Sequence, residues 1–235
     1  LADKCGNRAA DQVQTITVSD TTRPTFTRPD DITIYTDANC NYDASVSVTG
    51  DVTDESDNCS TNLNAIYSDA IADGDCEGTK VITRTWSLAD KCGNRAADQV
   101  QTITVEDNIA PTLAEGMSLP SGASDMDLCY AAIPSGPSAE DIKALYVDNC
   151  SEVTVTKSGE PTGDNSEWSV IYTYVIEDAC HNTTTATVSY SGSDQTAPVI
   201  DSINLDSTLT ATNCVFRIPD LTTEVRNISN DLCTP

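Results

Sequence analysis

Alternating apolar and polar residues recur along the chain and predict short β-strands with one buried face. The clearest segment is VITRTWSLAD (81–90), in which Ile82, Trp86 and Leu88 share one face while threonine and serine occupy the other. Arg84 interrupts the apolar face, so we place it near the edge of that face. Because Trp86 is large and central in this pattern, we expect it to anchor a core.

A second strand, VIYTYVIED (170–178), repeats the alternation 88 residues further on. Its apolar face consists of Val170, Tyr172, Tyr174 and Ile176, and Tyr174 stands where Trp86 stands in the earlier strand. Both strands are followed by a turn rich in Asp, Asn and Gly and then by a returning strand, which predicts a hairpin.

Other segments complete the predicted secondary structure. DITIYTD (31–37), ASVSVTG (44–50) and NLNAIYSDAI (62–71) predict further strands by their β-branched alternation. One segment, SAEDIKALYV (138–147), predicts a short helix, because Ser138 is a good N-cap and acidic residues fill the first turn.

The chain also repeats itself. LADKCGNRAADQVQTITV occupies residues 1–18 and again 88–105, and the seams that follow, at 19–26, 106–113 and 193–200, each contain Asp-x-x-x-Pro at a spacing of 87 residues. We therefore divide the chain into the end of one repeat (1–18), full repeats at 19–105 and 106–192, and the front of a further repeat (193–235). Since residue 1 falls inside a repeat, we expect the chain to be a window on a longer array.

Short strands separated by turns, in units of about 87 residues, predict an all-β fold made of tandem immunoglobulin-like β-sandwich repeats. Because the seams between repeats are short, we expect successive sandwiches to form an extended rod.

Composition narrows the classes of partner. The net charge is −25, which argues against nucleic acid and against an anionic membrane surface, and leaves divalent cations as candidate ligands. No apolar run is long enough to cross a bilayer, so we expect no membrane insertion in this segment. Aromatic residues make up only 5%, so the cores are small and need staples.

Ten cysteines supply candidate staples and indicate an oxidising, extracellular setting. Zinc is excluded because no CxxC pair occurs and the chain has one histidine, His181. In a sandwich, the order of the strands favours Cys59–Cys92 and Cys40–Cys76, with Cys40–Cys59 left open as an alternative.

In the next repeat the same reasoning favours Cys150–Cys180 and makes Cys129 a spare cysteine. Cys233 either pairs with Cys214 or, like Cys5, has its partner outside this segment.

The order of motifs resembles one known family. A DxxxP seam, DNC, ITRTW, a D-x-CGN turn and QTITV together look like the HYR-like, immunoglobulin-related repeats of giant surface proteins from Bacteroidota, such as gliding adhesins and filament proteins exported by type 9 secretion. The likeness covers both full repeats and both partial ones, but it weakens in the second full repeat, where DACHN replaces DKCGN and one cysteine is missing. It implies an extracellular, multi-repeat stalk.

Recurring aspartates suggest calcium as a cofactor. In each full repeat an aspartate occurs in the seam, in the DNC motif and in the hairpin turn, and an immunoglobulin-like topology brings these three positions to one end. The predicted sets are Asp20, Asp57 and Asp90, and Asp107, Asp148 and Asp178. The alternative is that each aspartate only accepts hydrogen bonds from its own turn.

We do not expect an enzyme, because His181 lies in a turn and its counterpart in the sister repeats is glycine. The expected function is structural: an adhesin stalk or filament that contacts neighbouring repeats of its own chain, or identical chains in a fibre. The alternatives are a glycan- or protein-binding module, with Trp168 as the candidate exposed aromatic, and a non-catalytic appendage of a secreted enzyme.

Overall fold

A computed structural model describes residues 1–200, 229–230 and 233, which belong to two compact units, Leu1–Asp107 and Asn108–Pro235. Strands in sheets dominate and the helices are few and short, so the fold is all-β and β-sandwich-like. The division into repeats at 1–18, 19–105, 106–192 and 193–235 stays a prediction. Most of its last part, including Cys214, lies outside the described residues.

The first unit is built on a four-stranded sheet. Its strands are β1 (Ile32–Tyr35), β2 (Ile66–Asp73), β3 (Lys80–Ser87) and β4 (Gln99–Glu106), in the order β1-β4-β3-β2. β3 and β4 form the predicted antiparallel hairpin, and β1 runs parallel to β4. The edge strand β2 is exposed along its whole length.

Alternation in β3 is confirmed, since Ile82, Trp86 and Leu88 are all buried. Two apolar clusters result: one contains Trp86 and Leu88 with Phe26, and the other contains Ile82 with Ile103 of β4. The predicted anchoring role of Trp86 therefore matches its full burial.

The expected edge position of Arg84 is wrong, because this side chain is 1% exposed and lies between the two clusters along β3. Its Nε and Nη2 donate to the Asp69 carboxylate on β2 at 2.8 and 2.9 Å. Nη1 donates to Thr49 Oγ1 at 2.7 Å, and Nη2 also donates to the Ala44 carbonyl at 2.6 Å. Arg84 is buried because nearly every donor has a partner there.

The predicted strand at 44–50 is also wrong, since a single helical turn, α1 (Val46–Thr49), occupies this position. The turn presents Thr49 to the sheet, where its hydroxyl accepts from Arg84 and its carbonyl accepts from Gln101 Nε2 at 2.8 Å. These tertiary hydrogen bonds outweigh the β-propensity of the segment.

The second unit contains strands β5 (Thr112–Leu113), β6 (Ala123–Asp127), β7 (Tyr146–Val147), β8 (Thr154–Ser158), β9 (Thr162–Asp164), β10 (Glu167–Glu177), β11 (Thr183–Ser193), β12 (Val199–Ile200) and β13 (Ser229–Asn230). Its main sheet has the order β6-β11-β10-β8, and β9 extends it by pairing with β10. β10 and β11 are antiparallel, and β6 runs parallel to β11. Two small pairings, β5 with β7 and β12 with β13, lie outside this sheet.

The core of the second unit forms on the predicted face of β10, because Val170, Tyr172, Tyr174 and Ile176 are all buried. Helix α2 (Ala139–Lys143) confirms the helix predicted at 138–147 but is shorter. Ser138 caps it by accepting from the Asp141 N–H, and Asp141 in turn accepts from the Ser138 N–H.

Six of the described cysteines are disulfide-bonded: Cys40, Cys76, Cys129, Cys150, Cys180 and Cys233. Cys129 bonds to Cys233 with a Cα–Cα distance of 5.2 Å, so Cys129 is not spare and Cys233 does not pair with Cys214. Sequence reasoning missed this bond because it joins residues 104 positions apart, which the repeat scheme assigns to different repeats.

The predicted Cys59–Cys92 bond is not formed in the structure, where both thiols are free and exposed, as is Cys5. The pairings Cys40–Cys76 and Cys150–Cys180 stay predictions.

Candidate metal centre

Three segments of the first unit bring the predicted aspartates Asp20, Asp57 and Asp90 together. Asp20 lies in the seam before the sheet, Asp57 in the loop before β2, and Asp90 in the turn after β3. Each offers a carboxylate oxygen, and these oxygens all lie within 4.8 Å of one another. The arrangement is therefore able to present three oxygen ligands to one cation.

Asp90 organises the hairpin turn that carries it. Its Oδ1 accepts from the Asn94 N–H at 2.8 Å and its Oδ2 accepts from Asn94 Nδ2 at 2.7 Å, while Gly93 adopts a positive φ of 89°. Asp90 is only 8% exposed. Burial opposes its ionisation, yet the hydrogen bonds from Asn94 and the turn backbone outweigh burial and hold the pKa of Asp90 below its ordinary value.

Asn94 is a member of the site that sequence reasoning missed. Besides holding Asp90, its Nδ2 donates to the backbone carbonyl of Asp20 at 3.2 Å, which ties the seam to the hairpin turn. The signal was present in the sequence, because the D-x-x-x-N spacing recurs at Asp3 and Asn7 and at Asp178 and Asn182.

Asp20 and Asp57 each use one carboxylate oxygen in their own turns. Asp20 Oδ1 accepts from the Thr22 N–H at 3.0 Å, and Asp57 Oδ2 accepts from the N–H groups of Cys59 and Ser60 at 2.9 and 2.8 Å. The second oxygen of each, Asp20 Oδ2 and Asp57 Oδ1, is buried and has no hydrogen-bond partner. The hydrogen bonds of the turns thus use only one of the two oxygens of each carboxylate.

The second unit repeats this chemistry with Asp148 and Asp178, whose carboxylate oxygens lie within 4.8 Å of each other. Asp148 Oδ2 accepts from the N–H groups of Cys150 and Ser151, both at 3.0 Å, while Oδ1 is buried without a hydrogen-bond partner. Asp178 accepts from both nitrogen groups of Asn182, as Asp90 does from Asn94.

Asp107, the third predicted member, is the last residue of the first unit. There it is buried, and its Oδ1 accepts from Thr36 Oγ1 at 3.1 Å. Its predicted role as a ligand beside Asp148 and Asp178 stays a prediction.

Two thiols border the first aspartate set. Partial desolvation and then the negative charges of Asp20 and Asp57 raise the pKa of the Cys59 thiol, and Cys92 and Asp90 add to this effect. Cys59 is therefore close enough to all three carboxylates to sense their charge, which makes it a natural reporter on this site.

The expected exposure of Trp168 is wrong, because its side chain is only 1% exposed, and exposure is what made it the candidate for binding a glycan. Its indole Nε1 donates to the Leu128 carbonyl at 2.8 Å, and Gly192 on β11 allows the ring to lie close to the sheet. The sequence placed Trp168 just before its strand, but β10 begins at Glu167, so Trp168 falls on the buried face of the alternation.

His181 lies in the β10–β11 turn with a positive φ of 68°. It is exposed, and its Nδ1 contacts the Glu177 carboxylate. This position matches the glycine of the DKCGN turn, and both residues have a positive φ, so the turn fixes the backbone conformation of His181.

None of the helices in the described residues has the length and apolar character needed to cross a membrane.

Comparison with known proteins yields little. No family model matches the chain, and no curated protein matches it. Among solved structures, an endo-fucoidan hydrolase of glycoside hydrolase family 107 is similar at 13% identity, over 75% of this chain and 30% of that enzyme, with a TM-score of 0.22. The chain thus spans less than a third of that enzyme, and an overlap this low carries no functional argument.

Proposed function

We propose that this chain is a structural segment of a long extracellular repeat protein, a stalk or filament of an adhesin. The observation that carries the proposal is the recurrence of one strand arrangement. In the first unit β1 runs parallel to β4, β4 pairs with β3, and β3 pairs with the outer strand β2. In the second unit β6, β11, β10 and β8 occupy the same four places in the same order, and β6 again runs parallel to β11. Such recurrence within one chain is typical of tandem modules.

The hairpin turn supports the same proposal at atomic detail. In each of the three copies, one aspartate accepts from the backbone and side-chain nitrogens of the asparagine four positions later: Asp3 with Asn7, Asp90 with Asn94, and Asp178 with Asn182. A catalytic centre would require specialised groups in one copy, whereas this geometry is common to all of them.

Disulfides support an oxidising setting outside the cytoplasm. Each bond adds about 2–4 kcal/mol to a domain whose core contains few aromatic residues. Stabilisation of each unit by disulfide bonds suits a structural role, which needs a stable fold and no binding pocket.

The burial of Trp168 removes the residue on which a glycan-binding alternative depended.

The edge strand β2 bears on whether the structural segment is a single-chain stalk or part of a multi-chain fibre. Ile66, Tyr67 and Ile71 on this strand are exposed, so self-association along this edge would favour a fibre of several chains over a single-chain stalk.

Small-angle X-ray scattering tests the extended-array proposal. A compact chain of this length has a radius of gyration of about 18 Å. We expect a clearly larger value, because short seams leave each sandwich to stack only on its sequence neighbours. A value at the compact limit would contradict the rod, and sedimentation velocity would separate a monomeric stalk from a multi-chain fibre.

A further inference from the structure

Buried carboxylate oxygens without hydrogen-bond partners are the unexplained feature of the first unit. Asp20 Oδ2 and Asp57 Oδ1 are both in this state, and both residues belong to the set of carboxylates within 4.8 Å. Buried polar atoms in folded proteins almost always have a partner, since an unsatisfied one is destabilising. A cation at this place would satisfy both oxygens at once.

Charge points to the same requirement. The Asp90 carboxylate is largely buried beside the carboxylates of Asp20 and Asp57. Like charges at such distances repel, and partial burial strengthens the repulsion. None of the ion pairs formed by the described residues involves Asp20, Asp57 or Asp90, so no described Lys, Arg or His pairs directly with this set.

We propose that Asp20, Asp57 and Asp90 bind Ca²⁺. The unpartnered oxygens of Asp20 and Asp57 would supply two ligands and the Asp90 carboxylate a third, with loop carbonyls and water completing the six to eight oxygens that Ca²⁺ takes at about 2.3–2.6 Å. Three loop-borne carboxylates suit the flexible geometry of Ca²⁺ better than the strict octahedron of Mg²⁺.

The second unit carries the same unexplained atom. Asp148 is the counterpart of Asp57, and its Oδ1 is likewise buried without a hydrogen-bond partner while Oδ2 holds the turn. Both loops share the residues Asp-Asn-Cys-Ser, at 57–60 and 148–151, so the buried oxygen without a hydrogen-bond partner recurs with this motif in both units.

Bound Ca²⁺ would join three segments that are distant in the sequence: the seam, the loop before β2 and the turn after β3. In the protein alone, Asn94 makes the link from the turn to the seam with a single hydrogen bond to the Asp20 carbonyl. The ion would therefore fasten the entry of the chain to the end of its own sandwich. This inference does not depend on the proposed stalk function.

Thermal unfolding of the full chain, freed of metal with a chelator and kept in physiological salt, tests the site. We expect CaCl₂ at about 10 mM to raise the first unit's Tm by about 6–22 °C, as for a site with a Kd of about 0.1–1 mM, the range of extracellular calcium modules. The same concentration of MgCl₂ should raise it much less. Calorimetric titration should show a saturable Ca²⁺ heat.

Asp57→Asn is the test variant, because asparagine keeps an oxygen that accepts from Cys59 and Ser60 but loses the charge. Asp37→Asn is its matched control, since Asp37 Oδ1 also accepts two backbone N–H groups in a turn but lies outside the set of carboxylates. We expect the control to keep the Ca²⁺ response and Asp57→Asn to lose the first unit's share of it. Asp20→Asn serves if Asp57→Asn folds poorly.

Three outcomes would overturn the proposal. Equal responses of the two Asn variants would mean that Ca²⁺ only screens an acidic surface. Equal responses to Ca²⁺ and Mg²⁺ would mean the same. A response confined to Zn²⁺ that disappears in Cys59→Ser would assign the site to the thiols instead.

Discussion

Replacing Arg84 with methionine tests how the core of the first unit is held together. Arg84 donates two hydrogen bonds to Asp69, one to Thr49 and one to the Ala44 carbonyl, and its guanidinium lies 4.1 Å from the centre of the Tyr67 ring. Arg84→Met keeps a flexible apolar side chain in the space but leaves all four acceptor interactions unmade.

The size of the effect follows from what is left behind. Removing one partner of a buried ion pair costs about 3–5 kcal/mol, mostly because the other charge stays buried. Asp69 is 25% exposed and can regain some water, and the Thr49 hydroxyl keeps its hydrogen bond to Ser45, so we expect the lower end, about 3 kcal/mol. For a unit of this size that corresponds to a fall in Tm of about 12–24 °C.

Differential scanning calorimetry is the appropriate assay, with the transition of the second unit as an internal reference. Lys80→Met is a matched control, because Lys80 also lies on β3 and pairs with an aspartate of β2, Asp73, but in an exposed position. Exposed pairs contribute about 0–1 kcal/mol. The double variant Arg84→Met/Asp69→Leu should recover much of the loss, since it removes both charges.

The reasoning fails if Arg84→Met unfolds within about 1 kcal/mol of the unmodified chain, or no more easily than Lys80→Met. It also fails if the double variant is less stable than Arg84→Met alone, because the stranded Asp69 would then not be the cause of the loss.

Mild oxidation should join Cys59 to Cys92, which are exposed and electrostatically coupled, and should stabilise the first unit by about 3 kcal/mol. A thiol assay with Cys92→Ser as control measures this, and unchanged thiol reactivity after oxidation would contradict it. Trp168→Ala should destabilise the second unit by about 3–5 kcal/mol in denaturant titration, whereas a fully stable variant would show that the indole is not a core residue. Because the folded-state pKa of Asp90 is lowered, its contribution is present above the ordinary carboxyl pKa and is lost as pH falls through the folded value. Asp90→Asn should therefore lose less stability than the unmodified chain as the pH falls below about 4, and parallel Tm curves would refute this.

Period-two patterns in the sequence identified the strands and faces that carry the cores. Ile82, Trp86 and Leu88 in one unit, and Tyr172 and Tyr174 in the other, are buried as the alternation predicts. This succeeds because a strand's two faces are fixed by geometry alone, so the side that meets the core can be read locally.

Failures occurred where a distant partner decides the outcome. The burial of Arg84 depends on Asp69 of another strand, and the helical turn at Val46–Thr49 depends on hydrogen bonds to β3 and β4. The Cys129–Cys233 bond depends on a contact across 104 residues. None of these partners lies within the local window from which a strand pattern is read.

The grouping of Asp20, Asp57 and Asp90 could be predicted because the turns that carry the aspartates differ less between the two units than the cores do. In the first unit Arg84 lies opposite Gln101 on the neighbouring strand. The corresponding pair in the second unit is Tyr172 and Val188, so the polar centre of one core is replaced by a mostly apolar pair in the other. The turns changed far less: Asp148 and Asp178 keep the hydrogen-bond geometry of their counterparts, including one buried oxygen without a hydrogen-bond partner.

A core can exchange a buried ion pair for aromatic packing at little net cost, because only its internal complementarity matters. The turns at Asp57 and Asp148 each keep a buried carboxylate oxygen without a hydrogen-bond partner, although the cores of the two units differ. Packing of the core does not require this oxygen. Asparagine at these two positions could hold the same turn without the negative charge. The retention of the charged form in both units is therefore the strongest internal argument that these turns serve a cation.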